Sequence, residues 1–244
     1  MSLSCIVPDW PAPRAVRALV STRAGGVSLP PYDSLNLAGH VGDAPQAVAD
    51  NRARLRGLLP AEPVWLEQVH GCAVAATEAA TGVPRADASV ARTPGQVCAV
   101  LTADCLPVLF CDRAGSAVAA AHAGWRGLAA GVLEATLARM GVPAQEVIAW
   151  LGPAIGPASF EVGEEVRDAF VGRDEGAASA FRPGERAGKW MADLFQLARL
   201  RLARAGVAAV YGGGICTHAD RARFYSYRRD GVTGRFASLV WLAP

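Results

Sequence analysis

Two apolar runs, PVLFC (107–111) and SAVAAAH (116–122), flank the turn signal Asp112-Arg113-Ala114-Gly115. Apolar runs of this length around an Asp and a Gly specify a β-hairpin, and a hairpin fixes which residues of its two strands face each other. If Arg113 and Ala114 form a two-residue loop, Cys105 falls directly opposite His122, with Cβ atoms roughly 4.5–5.5 Å apart on one face. A metal with Zn–S of about 2.3 Å and Zn–N of about 2.0 Å fits between such side chains. A one-residue slip would put the two on opposite faces. Pro107 lacks a ladder donor, so pairing is expected to end near Cys105, leaving the pair at the open end of the hairpin.

Around this hairpin, short apolar strands alternate with amphipathic helices. Strands are expected at 15–22, 64–70, 97–103 and 235–243. A first helix is expected from near Asp43, with Pro45 in its first turn, to Leu59. Leu128, Val132, Leu133, Leu137 and Met140 keep helical spacing up to Gly141 and predict a second helix. Asp193 is placed to cap a third, which ends at Gly206. Together these elements predict an α+β (mixed α/β) fold, one domain over residues 1–244 with mixed β-sheets flanked by helices.

The 244 residues carry a net charge of +2, which gives no reason to expect a nucleic-acid partner. Of the 24 basic residues one is a lysine, Lys189, and no Ser or Thr follows it, so a P-loop is excluded. Apolar runs are short and no basic-then-apolar leader opens the chain, so a cytoplasmic monomer with no membrane partner is expected.

The six cysteines contain no C-x-x-C pair, which excludes a zinc ribbon or a thioredoxin-type motif. A disulfide framework is not expected in a cytosolic chain of this size. Any metal must therefore draw ligands from separated segments, as catalytic sites do. Taken singly, a strand cysteine is most often a small buried hydrophobe, and Cys98 and Cys111 read that way. Cys105 and His122 as an opposed pair, soft thiolate with imidazole, suit zinc or copper. His70, at the end of LEQVHG, is the candidate third ligand.

The motifs QVHG (68–71), TADCLPV (102–108), AHAGWRG (121–127), GPAIGPASFEVG (152–163), CTHAD (216–220) and FYSYRRDGVTGR (224–235) follow one another in the order found in the YfiH-type laccase-domain family. The chain resembles that family over nearly its whole length, including STRAGGVSLPPYDSLNLAGHVGD (21–43) and NRARL (51–55). CTHAD is the weaker match. The resemblance implies a Zn2+ site made by His70, Cys105 and His122, which would also be the catalytic residues. It implies purine nucleosides (adenosine, inosine and 5′-methylthioadenosine) and phosphate as partners. The implied reactions are phosphorolysis of the N-glycosidic bond and hydrolytic deamination of adenosine.

Three ligands leave a fourth zinc position open, and an open zinc activates water and polarises an oxygen. Anion-holding candidates are Arg23 and Ser28 in RAGGVS, Arg126 beside the start of the second helix, and Tyr227 with Arg228 in SYRR. Each also has a plain reading as a solvated loop residue. Asn36 and His40 belong to the resembling N-terminal segment, His40 as a pocket residue. Trp125 has two readings, a purine stack or core packing.

Two other chemistries draw on the same residues. One is a Cys–His hydrolase or amidase acting on peptidoglycan precursors, with Cys105 as nucleophile and His122 or His70 as base. The other is a copper-dependent polyphenol oxidase. Four histidines cannot build a multicopper centre, so this oxidoreductase would rest on a single copper in the same three-ligand site. A zinc-stabilised module without catalysis is a further alternative.

Overall fold

The alanine-rich run forms a strand whose two faces meet different layers. In the computed structural model, which describes residues 3–244, the chain begins with β1 (Cys5–Ile6), β2 (Val16–Ser21), α1 (Pro45–Arg56), β3 (Val74–Ala76) and β4 (Ala88–Ala91). Next come β5 (Val97–Thr102), β6 (Leu106–Asp112), β7 (Val118–Ala123), α2 (Trp125–Ala130) and α3 (Val132–Met140). They are followed by β8 (Val147–Leu151), β9 (Glu161–Gly163), α4 (Glu164–Val171), β10 (Phe181–Pro183) and β11 (Lys189–Ala192). The chain closes with α5 (Leu194–Arg204), β12 (Ala209–Gly212), α6 (Tyr227–Asp230) and β13 (Phe236–Leu242).

Six strands form a mixed sheet in the order β12-β8-β6-β7-β4-β3. Four form an antiparallel sheet, β1-β2-β13-β5, and β10-β11-β9 make a small third one. The fold is α+β, as the alternation of strands and helices implies.

Side chains alternate across a strand with period two. Ala119, Ala121 and Ala123 of β7 accordingly face Leu128, Leu133 and Leu197 of α2, α3 and α5. Fully burying a leucine such as Leu128 or Leu133 contributes about 1.5–3 kcal/mol relative to exposure. Val118 and Ala120 face the other way, into a core shared with Val100 and Val240 of the four-stranded sheet. His122 follows in the same alternation and so points toward the four-stranded sheet. Leu55 of α1 joins the core on that sheet's far side.

The hairpin register differs from the two-residue-loop expectation. The pairs are Leu106 with Ala123, Pro107 with His122, and Cys111 with Val118. Residues 113–116 form the loop because the Asp112 carboxylate accepts the N–H groups of Ser116 (2.7 Å) and Ala117 (2.9 Å) and the Ser116 hydroxyl (2.6 Å). The turn is thus two residues longer than expected. A shift of two preserves the face, so Cys105, just before β6, stays on the side of His122.

Two other expectations change. Residues 64–70 form no strand, only the isolated bridges Val64–Cys98 and Glu67–Arg85. There the Gln68 side chain replaces the backbone ladder, donating to the Leu101 carbonyl (2.9 Å) and accepting its N–H (2.8 Å). The expected second helix starts earlier, at Trp125, and breaks at Gly131, whose φ of +109° separates α2 from α3. The Asp193 cap forms as expected, its Oδ1 accepting the Gln196 N–H at 3.0 Å.

Candidate metal centre

At the end of β7 the chain places Asp87 beside His122. The β4–β7 register pairs Ala88 with Ala121, so one step further Asp87 faces His122, and the His122 N–H donates to the Asp87 carbonyl at 2.7 Å. Directly opposed residues share a face, and the Asp87 Oδ1 lies 2.9 Å from His122 Nδ1. The same carboxylate accepts three consecutive backbone N–H groups, from Val69 (3.2 Å), His70 (2.8 Å) and Gly71 (2.6 Å). One buried carboxylate therefore orients one imidazole and folds the loop that carries another. His70 takes a φ of +61°, which no strand could continue.

Cys105 enters from the other side. Asp104, with a φ of +92°, turns the chain just before β6. Its carboxylate is held by the hydroxyls of Thr217 (2.7 Å) and Ser226 (3.0 Å) and by the Arg228 N–H (2.7 Å). Asp104 thereby ties the segment after Thr217 to the end of the hairpin.

The ligand atoms of His70, Cys105 and His122 all lie within 4.8 Å of one another, with His70 Nε2 3.7 Å from Cys105 Sγ. In a tetrahedral site with Zn–S of about 2.3 Å and Zn–N of about 2.0 Å, ligand atoms stand about 3.5 Å apart. The donor set, two imidazoles and one thiol, suits zinc or copper(I). With Nδ1 of His122 bound to Asp87, its Nε2 is the atom free to coordinate. Gly124 keeps the space open. A Cβ there would lie 2.8 Å from His70 Cδ2 and 2.9 Å from Cys105 Sγ.

The charges of the trio support one another. Burial raises the Cys105 pKa, but the His122 charge and hydrogen bonds from both histidines outweigh it and bring the thiol down to about 6. Burial lowers the His122 pKa, while the Cys105 thiolate and Asp87 raise it to about 9. For Cys98 and Cys111 burial pushes the thiol up to about 12. Those two are core residues, as expected.

The trio opens into a cavity of about 530 Å³, lined also by His40, Gln68, Trp125, Phe160, Tyr227 and Arg235. Arg126 and Arg228 complete its rim, each over an aromatic ring: Arg126 lies 4.4 Å from the Trp125 centroid and Arg228 5.4 Å from that of Phe160. Trp125 is at once a cavity wall and a partner of the helical core.

Three expected substrate residues lie elsewhere. Ser28 is buried, donating to Asp43 Oδ2 (2.7 Å) and accepting from Asn51 (2.8 Å). Asn36 donates to the same Asp43 oxygen (2.9 Å) and accepts the Arg235 backbone N–H (2.9 Å). Both have their polar atoms engaged inside the protein. Arg23 lines a separate cavity of about 770 Å³, where Asp33 and backbone carbonyls bind its guanidinium and no histidine or cysteine is present. Sequence reasoning missed Asp87, Asp104 and Arg235. An acid isolated among small residues, as in RADASV and LTADC, is the signal that marks the first two.

The family described as multi-copper polyphenol oxidoreductase laccase matches residues 17–243. A Pseudomonas aeruginosa protein named purine nucleoside phosphorylase is 62% identical over 237 residues, covering 97% of this chain and 98% of that one. The Escherichia coli purine nucleoside phosphorylase YfiH is 58% identical over 243 residues, covering 97% of this chain and 98% of its own. A solved structure from Neisseria meningitidis, protein NMB0706, superposes with a TM-score of 0.95 at 56% identity, covering 98% of this chain and 99% of that one. For YlmD of Geobacillus stearothermophilus the TM-score is 0.86 at 31% identity, covering 95% and 93%. The chain belongs to the YfiH-type laccase-domain family.

Proposed function

We propose that this chain is a zinc-dependent purine nucleoside phosphorylase that takes adenosine, inosine and 5′-methylthioadenosine and also deaminates adenosine. The observation that carries the reading is the convergence of His70, Cys105 and His122 in the wall of a cavity also lined by Trp125 and Phe160. His70 Nε2, Cys105 Sγ and His122 Nε2 would hold the zinc, which would supply Lewis acidity toward an oxygen and lower the pKa of water. Asp87 fixes the His122 tautomer with Nδ1 as the donor. Trp125 and Phe160 offer flat faces for a purine, and Arg126, Arg228 and Tyr227 stand at the rim where polar groups of a nucleoside would lie. The names of the Pseudomonas and Escherichia relatives support the same activity. On this reading residues 1–244 act as one domain in the cytoplasm, with nucleosides and phosphate as their partners.

The test is incubation of metal-quantified protein with adenosine and inosine, with and without phosphate. Ribose 1-phosphate is expected to form, and to be lost in His122→Ala. An absence of turnover on every purine nucleoside sinks the reading. Stoichiometric copper with phenol turnover, in protein purified without added metal, would replace it with an oxidase.

A second reading draws on Asp87. Cys105, His122 and Asp87 form a nucleophile, a base and a group orienting the base, the arrangement of a cysteine hydrolase. Activity that survives complete metal removal, with a covalent adduct at Cys105, would favour it.

A further inference from the structure

The cavity holds three guanidinium groups, and they are not equivalent. All three lie over aromatic rings, Arg235 at 5.8 Å from the Tyr227 centroid, but Arg126 and Arg228 are exposed. Arg235 is half-buried, and no carboxylate pairs with it among the described residues. Its Nη1 donates to the carbonyls of Thr233 (2.8 Å) and Gly234 (3.0 Å). Among the described residues Nε and Nη2 have no acceptor. A planar guanidinium with one edge anchored and the other free presents two parallel N–H donors, the geometry that matches two oxygens of a phosphate.

The protein is built to hold the backbone that carries this side chain in place. Asn36 Oδ1 accepts the Arg235 N–H (2.9 Å), and the Leu37 N–H donates to the Arg235 carbonyl (3.2 Å). Asn36 is braced in turn by Asp43, which Ser28 also binds. Gly234 permits the close packing, since a Cβ there would lie 2.8 Å from the Tyr225 ring and 2.9 Å from Asn36 Cβ. Ser28 and Asn36 thus serve the cavity at one remove, as the brace of Arg235. His40 lies on the same loop beyond Leu37. It lines the same cavity as Arg235, and partial burial and then the charges of Arg235 and Arg52 lower its pKa, which favours a neutral imidazole able to donate one N–H. Arg235 and the metal trio line the same cavity.

We propose that Arg235, with His40 of the same cavity wall, is the anion subsite that takes inorganic phosphate in this cavity, an assignment resting on the phosphorylase reading. In that reaction a phosphate oxygen bonds to C1′ of the ribose as the C1′–N9 bond breaks. The bonding pair leaves with the purine, which takes up the proton of hydrogen phosphate. A half-buried cation beside the attacking group holds its charge in place without contacting the base.

The experiment combines kinetics and direct binding on Arg235→Gln and Arg235→Lys, each checked for metal content and thermal midpoint. Loss of one charge-assisted contact corresponds to roughly a ten- to hundredfold weakening. The KM for phosphate in Arg235→Gln is expected to rise by about that factor, while the KM for inosine changes by less than about twofold. Arg235→Lys, a point charge without the fork, is expected to fall between and decides the question if the glutamine variant does not fold. Equilibrium dialysis with labelled inorganic phosphate should show the same order of affinities. A wild-type phosphate KM and affinity in both variants overturns the subsite and leaves the phosphorylase reading intact. Arg235-dependent phosphate binding in a protein that makes no ribose 1-phosphate supports the subsite and overturns the phosphorylase reading.

Discussion

Asp87 and His122 face each other across neighbouring strands, with the carboxylate oxygen 2.9 Å from the imidazole Nδ1, and the same carboxylate holds the backbone of the His70 loop. One side chain therefore sets the positions of two of the three candidate ligands. Asp87→Ala is expected to weaken zinc binding about 10–100-fold, the usual effect of losing a carboxylate that orients a ligating histidine. Asp87→Asn should fall between, because it keeps one acceptor but no charge. Competition with a chromophoric chelator reads the affinity. A wild-type affinity in Asp87→Ala would show that the pairing serves the fold alone.

Gly124 supplies the empty volume in which the trio meets. An alanine there puts its methyl 2.8 Å from His70 Cδ2 and 2.9 Å from Cys105 Sγ, closer than carbon atoms pack at their optimal separation of about 3.5–4.0 Å. Gly124 has φ −62° and ψ 157°, so alanine causes no backbone strain. Gly124→Ala is expected to fold with an unchanged circular dichroism spectrum and to purify with less than about half the wild-type zinc, the clash falling on the ligands. Full zinc content with wild-type activity would contradict the geometry.

The sequence carried the core of this site because local pairing rules act over short distances. The turn after Cys111 and the alternation along 116–122 were enough to bring Cys105 and His122 to one face, even though the turn is two residues longer than a minimal loop. Apart from the family resemblance of QVHG, His70 was legible only as a residue at the end of an apolar run, and the run itself is not a strand. Its position depends on Asp87, eighteen residues from Val69, through hydrogen bonds that leave no periodic trace. In the sequence Arg23, Ser28 and Asn36 are polar groups in glycine-rich or resembling segments. Whether such groups face solvent, a cavity or each other is decided by long-range packing. Asn36 meets Arg235 across 199 positions of chain.

Asp112 is the reason the hairpin turn is long, and it gives the fold a pH dependence of known sign. Burial raises its pKa, but the Ser116 hydroxyl and the N–H groups of Ala117 and Ser116 lower it below the ordinary value of 3.8. A carboxyl with a depressed folded-state pKa contributes stability above its unfolded value and loses it as pH falls through the folded value. Asp112→Ala is therefore expected to destabilise by about 2 kcal/mol at pH 7, in the range for hydrogen bonds to a charged group. Urea unfolding at a series of pH values should show this difference shrinking as pH falls below 3.8. A pH-independent difference would mean that packing, not the carboxylate, sets the turn.

Thiol chemistry separates the site cysteine from the core cysteines. In metal-free protein Cys105 titrates near 6, because the His122 charge overcomes the cost of burial, whereas burial holds Cys98 and Cys111 near 12. The thiolate is the form that reacts, so alkylation of Cys105 by iodoacetamide should accelerate as pH rises through 6 and then level off. Cys98 and Cys111 should stay unmodified at pH 8 in the folded state, since each is fully buried as well as protonated. Peptide mass spectrometry after brief labelling at pH 5, 6, 7 and 8 gives the three rates in one experiment. Added zinc should suppress the Cys105 rate alone, because a coordinated sulfur is no longer a free nucleophile. Labelling of Cys105 that rises only above pH 8 would remove the imidazole-assisted thiolate. Undiminished labelling with bound zinc would take Cys105 out of the ligand set and leave it as the attacking group.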